Sequence, residues 1–178
     1  MKYLRIPKER VGVLIGPKGE TKRIIESTGK IILEVDSEEG EVIINDSGCN
    51  DPVLCLKAED VIRAIGRGFS PENAMKLFKD DVDFLIFDIH EYVGKSDSHV
   101  SRVKSRIIGR EGKTRRTIER LTSANISIYG HTVAVIVEYE YMDVTKRAID
   151  MLLSGSKHSK VYRFIEREMK RLRYSDQW

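Results

Sequence analysis

Arg106-Ile107-Ile108-Gly109-Arg110-Glu111-Gly112-Lys113-Thr114-Arg115-Arg116 decides how the rest of this chain reads. Two apolar residues run into a Gly-x-x-Gly turn, and a strongly basic helical segment follows. Val13-Leu14-Ile15-Gly16-Pro17-Lys18-Gly19-Glu20-Thr21-Lys22-Arg23 has the same shape, 93 residues earlier. Gly16 matches Gly109, Gly19 matches Gly112, and Thr21 matches Thr114. Lys22 and Arg23 match Arg115 and Arg116, and Ile25-Glu26 matches Ile118-Glu119. The register holds without a gap to Leu33 and Val35, which fall on Ile126 and Ile128. One Gly-x-x-Gly carries little information. Two in matching settings indicate an internal duplication.

The 178 residues therefore divide into two small units rather than one large domain. Hydrophobic content of 40% and charged content of 33% describe a globular chain with a heavily charged surface. The net charge of +3 hides an uneven distribution. Residues 1–30 carry eight Lys/Arg and three Asp/Glu, and residues 99–123 carry eight and two. Between them, residues 31–98 carry six and sixteen. Positive charge surrounds both turns, which points to a polyanionic partner there. Most charge runs are solvated helix faces, but here two runs coincide with a phosphate-type turn.

No secretory leader pattern opens the sequence, and the longest apolar runs are strand-length, far short of a bilayer span. Cys49 and Cys55 lack metal or redox spacing and read as reduced thiols of a cytoplasmic protein. The single Gln and high Lys/Glu/Arg content fit a thermophilic source.

Periodicity predicts the same element order around each turn: strand, helix, turn, helix, strand, strand, helix. In the first copy these fall at 2–6, 8–15, 20–28, 30–36, 41–45 and a helix containing Ala58 to Phe69. Gly29 is the expected C-cap of the second helix, whose buried side is Ile24, Ile25 and Thr28. The second copy places strands at 82–90, 125–129 and 132–139 and helices at 100–108, 113–123 and from Val144 to Leu152. Residues 157–173 form a terminal helix with an apolar stripe of Val161, Phe164, Ile165, Met169 and Leu172 and basic flanks.

A Gly-x-x-Gly turn between helices lets the backbone pass close to a phosphate chain, because no Cβ intervenes. The following helix aims its amides and positive dipole end at the same place. Basic side chains nearby add sequence-independent affinity. The candidate cations are Lys18, Lys22 and Arg23 in the first copy, and Arg106, Arg110, Lys113, Arg115 and Arg116 in the second.

Leu14-Ile15-Gly16-Pro17-Lys18-Gly19 with Ile25, and Ile107-Ile108-Gly109-Arg110-Glu111-Gly112 with Ile118, resemble the KH (K-homology) motif. The strand-helix-turn-helix-strand-strand-helix order matches the type I form, βααββα. The resemblance implies an α+β fold of two type I KH domains. Each would be a three-stranded antiparallel sheet with three helices on one face, and a C-terminal helix would follow. The expected boundaries are 1–70 for the first domain, 71–80 for a linker, 81–155 for the second domain, and 156–178 for a basic helix packing on the KH pair.

The resemblance also implies the site. Single-stranded RNA would lie with its backbone clamped by Gly16-Pro17-Lys18-Gly19 or Gly109-Arg110-Glu111-Gly112. Its bases would enter a groove walled by Ile107, Ile108 and the strand residues Ile126 and Ile128. Departures from the common pattern are Lys22 and Arg115, where many KH domains carry an aliphatic residue, Pro17, which removes one turn amide, and Glu111, which places a negative charge inside the second turn. The second copy, with more cations and a full set of amides, is the stronger expected site.

The shared Gly-x-x-Gly-x-Thr-basic-basic-x-Ile-Glu pattern and Ser105 to Thr114 are similar to the archaeal ribosomal RNA-processing KH family related to partner of Nob. That resemblance implies binding to the 3′ end region of 16S rRNA during small-subunit maturation. It also implies a Nob-type endonuclease and the alpha subunit of archaeal initiation factor two as partners of a monomer.

No enzymatic, cofactor or metal site is expected. His90, His99, His131 and His158 are scattered. Asp80, Asp81, Asp83 and Asp88 do not converge with a base or nucleophile, and no nucleotide-binding phosphate loop is present. Two alternatives remain: a KH recognition component of an RNA-degrading, exosome-like complex, and a protein–protein scaffold with one degenerate KH domain.

Overall fold

The computed structural model describes residues 1–175; the last three positions of the expected terminal segment lie outside the described residues. The described residues form two compact units that divide between Phe84 and Leu85, inside the strand Val82–Asp88.

In the first unit β1 (Lys2–Arg5) leads to α1 (Lys8–Ile15), a tight turn at Pro17–Gly19, and α2 (Glu20–Gly29). Then come β2 (Ile32–Val35), β3 (Glu41–Asn45) and α3 (Pro52–Gly66). The sheet order is β1-β3-β2, with β3 antiparallel to both neighbours; Arg5 pairs with Glu41 and Val35 with Val42. Leu14, Ile25, Leu33, Val42, Ile44 and Ile62 fill the core. α3 starts where Asp51 accepts the Val53 and Leu54 N–H groups and Pro52 fixes the first turn. Its other end is held by Arg10, which donates to the Ile65 and Phe69 carbonyls, both at 2.7 Å. Residues 71–78, expected as linker, form α4 (Pro71–Ala74) and a 3-10 turn at Met75–Phe78 that packs on α3.

Three local expectations change. Ile24 and Thr28 are exposed, and Ile25 is the side chain of α2 that enters the core. Gly29 belongs to the helix, and Lys30 takes the left-handed cap at φ 51°. What requires glycine at 29 is close approach: a Cβ there would stand 2.8 Å from the Ala58 Cβ on α3. Gly29→Ala should therefore lower the stability of this unit by roughly 1–3 kcal/mol through overpacking, read by chemical denaturation. Third, Cys49 and Cys55 form a disulfide, with 6.6 Å between their Cα atoms, instead of remaining reduced. The Asp51 cap and Pro52 fold the chain back between them.

The second unit repeats the plan. β4 (Val82–Asp88) begins it, followed by α5 (His90–Val93), a short helix that periodicity did not show. Then come α6 (Asp97–Ile108), the turn Arg110–Gly112 and α7 (Lys113–Thr122). β5 (Asn125–Tyr129), β6 (Thr132–Glu138) and α8 (Met142–Leu153) complete the repeat. The sheet order is β4-β6-β5, and β5 and β6 pair antiparallel around Gly130-His131. Ile107, Ile118, Val133, Val135, Ile149 and Leu152 form the core. α9 (His158–Ser175) adds Val161, Ile165 and Met169 to it, packing on α7 and α8 of its own unit. The stripe read from the sequence is thus a docking face. α5 is tied to α8 by Tyr92, whose hydroxyl donates to Asp150 Oδ1 at 2.9 Å. Burial, reinforced by that bond, pushes the Tyr92 phenol up to about 12.

Candidate nucleic-acid interface

The two turns have nearly the same backbone. Gly16 and Gly109 sit at φ 71° and 74°, with ψ at 174° in both. Lys18 and Glu111 take left-handed φ of 51° and 52°, and Gly19 and Gly112 both have φ 75°. Non-glycine residues in that region store strain, which clusters at functional sites. Gly19 N–H donates to the Gly16 carbonyl at 3.1 Å and Gly112 N–H to the Gly109 carbonyl at 3.2 Å, and the next residue of each turn, Glu20 or Lys113, donates to the Pro17 or Arg110 carbonyl.

The two glycines of each turn serve different ends. A Cβ on Gly16 or Gly109 would collide with the side chain of Thr21 or Thr114. The first glycine is therefore a packing requirement, and the matched threonines are its counterpart. A Cβ on Gly19 would meet nothing within 4 Å, and one on Gly112 would reach only the Arg116 guanidinium carbon at 4.0 Å. The second glycine faces open space, where a ligand backbone can approach.

α2 and α7 both begin on that open side with no side-chain cap; the Glu20 and Lys113 N–H groups bond back to the Pro17 and Arg110 carbonyls, and no side chain caps the amides that follow. The copies then diverge. α2 carries Glu20 in its first turn and follows Pro17, whereas α7 begins with Lys113 and has no first-turn carboxylate. Arg110 and Lys113 are exposed beside the second turn, as Lys18 and Arg23 are beside the first. Arg116 is exposed but donates to the Glu111 carbonyl at 2.6 Å, holding the strained turn in place.

Several of the remaining candidates are occupied elsewhere. Arg106 donates to the Ser156 carbonyl, and the His158 ring meets the Arg106 carbonyl at 2.9 Å. Arg106 therefore ties α6 to the α8–α9 connection through one of its guanidinium nitrogens. Ile107 and Ile126 are buried in the core. Ile108 and Ile128, half-buried, remain available to a groove. Lys22 and Arg115 lean on Glu26 and Glu119, at 3.6 and 3.8 Å.

Those two glutamates are what sequence reading missed. Glu26 accepts the Leu33 N–H and Glu119 the Ile126 N–H, both at 2.8 Å. Each joins the helix after the turn to the edge strand across from it, which fixes the groove width. The signal was present as the matched Ile-Glu pairs, but its partner lies seven residues on. Glu119→Ala leaves the Ile126 amide unsatisfied. It should cost about 1–3 kcal/mol and raise amide exchange along β5, read by hydrogen–deuterium exchange.

Asp80, Asp83 and Asp88 serve separate partners. Lys57 hydrogen-bonds Asp80 and holds it below the usual carboxylate range. Asp83 accepts the Phe84 N–H, and Asp88 accepts the His90 N–H.

The fold, the element order and the paired turns define a tandem type I KH protein. Residues 83–170 match the family described as eukaryotic type KH-domain (KH-domain type I), of PNO1 second-domain type, and residues 7–80 match the Krr1 KH1 domain. The KH domain-containing protein MJ0443 of Methanocaldococcus jannaschii is 46% identical over 97% of this chain and 76% of its own length. The RNA-binding protein PNO1 of Oryzias latipes is 36% identical over 63% of this chain, which spans about half of that relative's length (46%). A similar fold, TM-score 0.86 at 43% identity, occurs in the crystal structure of the a/eIF2alpha–aDim2p–rRNA complex from Pyrococcus horikoshii; the match covers 96% of this chain and 94% of that one. The chain belongs to the tandem KH RNA-binding family of these PNO1 and Dim2 proteins.

Proposed function

We propose that this chain is a non-enzymatic, cytoplasmic, monomeric adaptor. It binds single-stranded RNA, at the 3′ end region of 16S rRNA, during maturation of the small ribosomal subunit. The observation that carries the reading is the second turn. It combines an open Gly112, an uncapped α7 start without a carboxylate, and the exposed cations Arg110 and Lys113. Phosphate is the ligand that arrangement suits. The relatives support it, since one is named an RNA-binding protein and another stands in a complex with rRNA and a/eIF2alpha. By the same likeness, the alpha subunit of archaeal initiation factor two is a protein partner, and the resemblance of the sequence motifs adds a Nob-type endonuclease.

The first unit contributes less to RNA. Pro17 lacks a turn amide, and Glu20 places a negative charge at the α2 start. Ile24 and Ile32 are 44% and 60% exposed, which suits a protein contact on that unit better.

A fluorescently labelled oligonucleotide of the 16S rRNA 3′ end should bind at least about tenfold tighter than a scrambled one of equal length. Log affinity should fall with log salt at a slope of about −0.7 to −2 per bound module, for one to three phosphates. Equal affinities would remove the rRNA assignment, and no binding to either would remove the RNA reading.

A further inference from the structure

Two of the four scattered histidines converge. His90 follows β4 and His131 lies in the β5–β6 loop; β4 and β6 are neighbours, so the sheet brings the two residues to one corner. The Ile89 N–H donates to the His131 carbonyl at 2.8 Å and locks that corner. The imidazoles stack with ring centres 4.3 Å apart and planes 11° from parallel. Asp88 stands beside both, with Oδ1 3.5 Å from His90 Nδ1 and Oδ2 3.8 Å from His131 Nε2. The same Oδ1 accepts the His90 backbone N–H at 2.9 Å, so the carboxylate is oriented by the chain. Each of the three half-buried residues offers a ligand atom within 4.8 Å of the others.

We propose that Asp88, His90 and His131 bind a divalent transition-metal ion of the zinc class. Two imidazole nitrogens and one carboxylate oxygen are a borderline donor set that suits such ions, while Mg²⁺ and Ca²⁺ favour oxygen donors. Metal–nitrogen bonds near 2.0–2.1 Å put the donors of a tetrahedral site about 3.3 Å apart. The carboxylate separations of 3.5 and 3.8 Å are close to that, and the stacked rings must turn about their Cβ–Cγ bonds so that both nitrogens point at one ion. Three protein ligands leave one position to solvent. Both histidines also line a cavity of about 530 Å³ with Val100, Lys104 and Ile108 of α6. Ile108 is the residue before the second turn, so the metal sits on the rim of the surface that leads to it.

The test uses the full chain, stripped with a chelator and without RNA. ZnCl₂ is titrated by calorimetry, and Co²⁺ is followed by its visible absorption. We expect one equivalent bound at micromolar concentration or tighter, with no competition from excess Mg²⁺. His90→Ala, His131→Ala and Asp88→Asn should each weaken binding by about tenfold or more, and His99→Ala, in an exposed turn of α6, should not change it. Thermal melts of the metal-free variants confirm that they fold. Absence of saturable zinc binding, or unchanged affinity in a folded His131→Ala variant, would overturn the proposal. Since RNA is not used, either result leaves the RNA reading untouched.

Discussion

Gly112→Asp should leave the second unit folded and weaken its binding to short single-stranded RNA by at least about tenfold. The position already has a left-handed backbone, φ 75°, a region that Asp tolerates better than most residues. A side chain there enters open space, so no packing is lost. The new carboxylate stands where the phosphate chain passes, at the uncapped start of α7. Like charges about 5 Å apart at an effective dielectric of about 20 repel by roughly 3 kcal/mol, and salt screening reduces this only in part. A fluorescence titration checks the affinity, and a thermal melt the fold. Unchanged affinity would sink the assignment of this turn as the clamp.

Gly109→Ala, three residues away, should do the opposite and act on stability first. Its Cβ would enter the space of the Thr114 side chain, which is buried below the turn. Its φ of 74° adds strain of roughly 1–2 kcal/mol for any L-residue with a Cβ. Overpacking adds about 1–3 kcal/mol. The second unit should lose a total of roughly 2–5 kcal/mol, read by urea denaturation. Gly112→Ala should lose only the strain part. Equal losses from the two substitutions would contradict the separate roles of the two glycines.

The duplicated fold could be read from the sequence because both copies keep the same spacing. Gly16/Gly109, Thr21/Thr114 and Leu33/Ile126 all repeat at one offset, and local periodicity set the element types. What escaped depends on long-range geometry. Arg106 looked like a phosphate ligand because it adjoins the turn, but its guanidinium reaches Ser156, fifty residues on. Ile126 and Ile128 share a strand face, yet only the latter stays half-open at the strand end. Gly29 resembled a cap, and its real partner, Ala58, lies on another helix. His90 and His131 are distant in sequence and meet only because β4 and β6 lie side by side. Charge counting favours the second turn; at the helix start Glu20 stands against Lys113, while inside the turns Lys18 stands against Glu111.

On the reading proposed above, this chain holds single-stranded RNA mainly through Gly109–Gly112. Anisotropy titration of one labelled RNA against the full chain, its Gly112→Asp variant and its Gly19→Asp variant separates the two turns. We predict a loss of about tenfold or more for Gly112→Asp and less than about threefold for Gly19→Asp, whose turn already lacks an amide and faces Glu20. Equal losses, or a larger loss from Gly19→Asp, would contradict it.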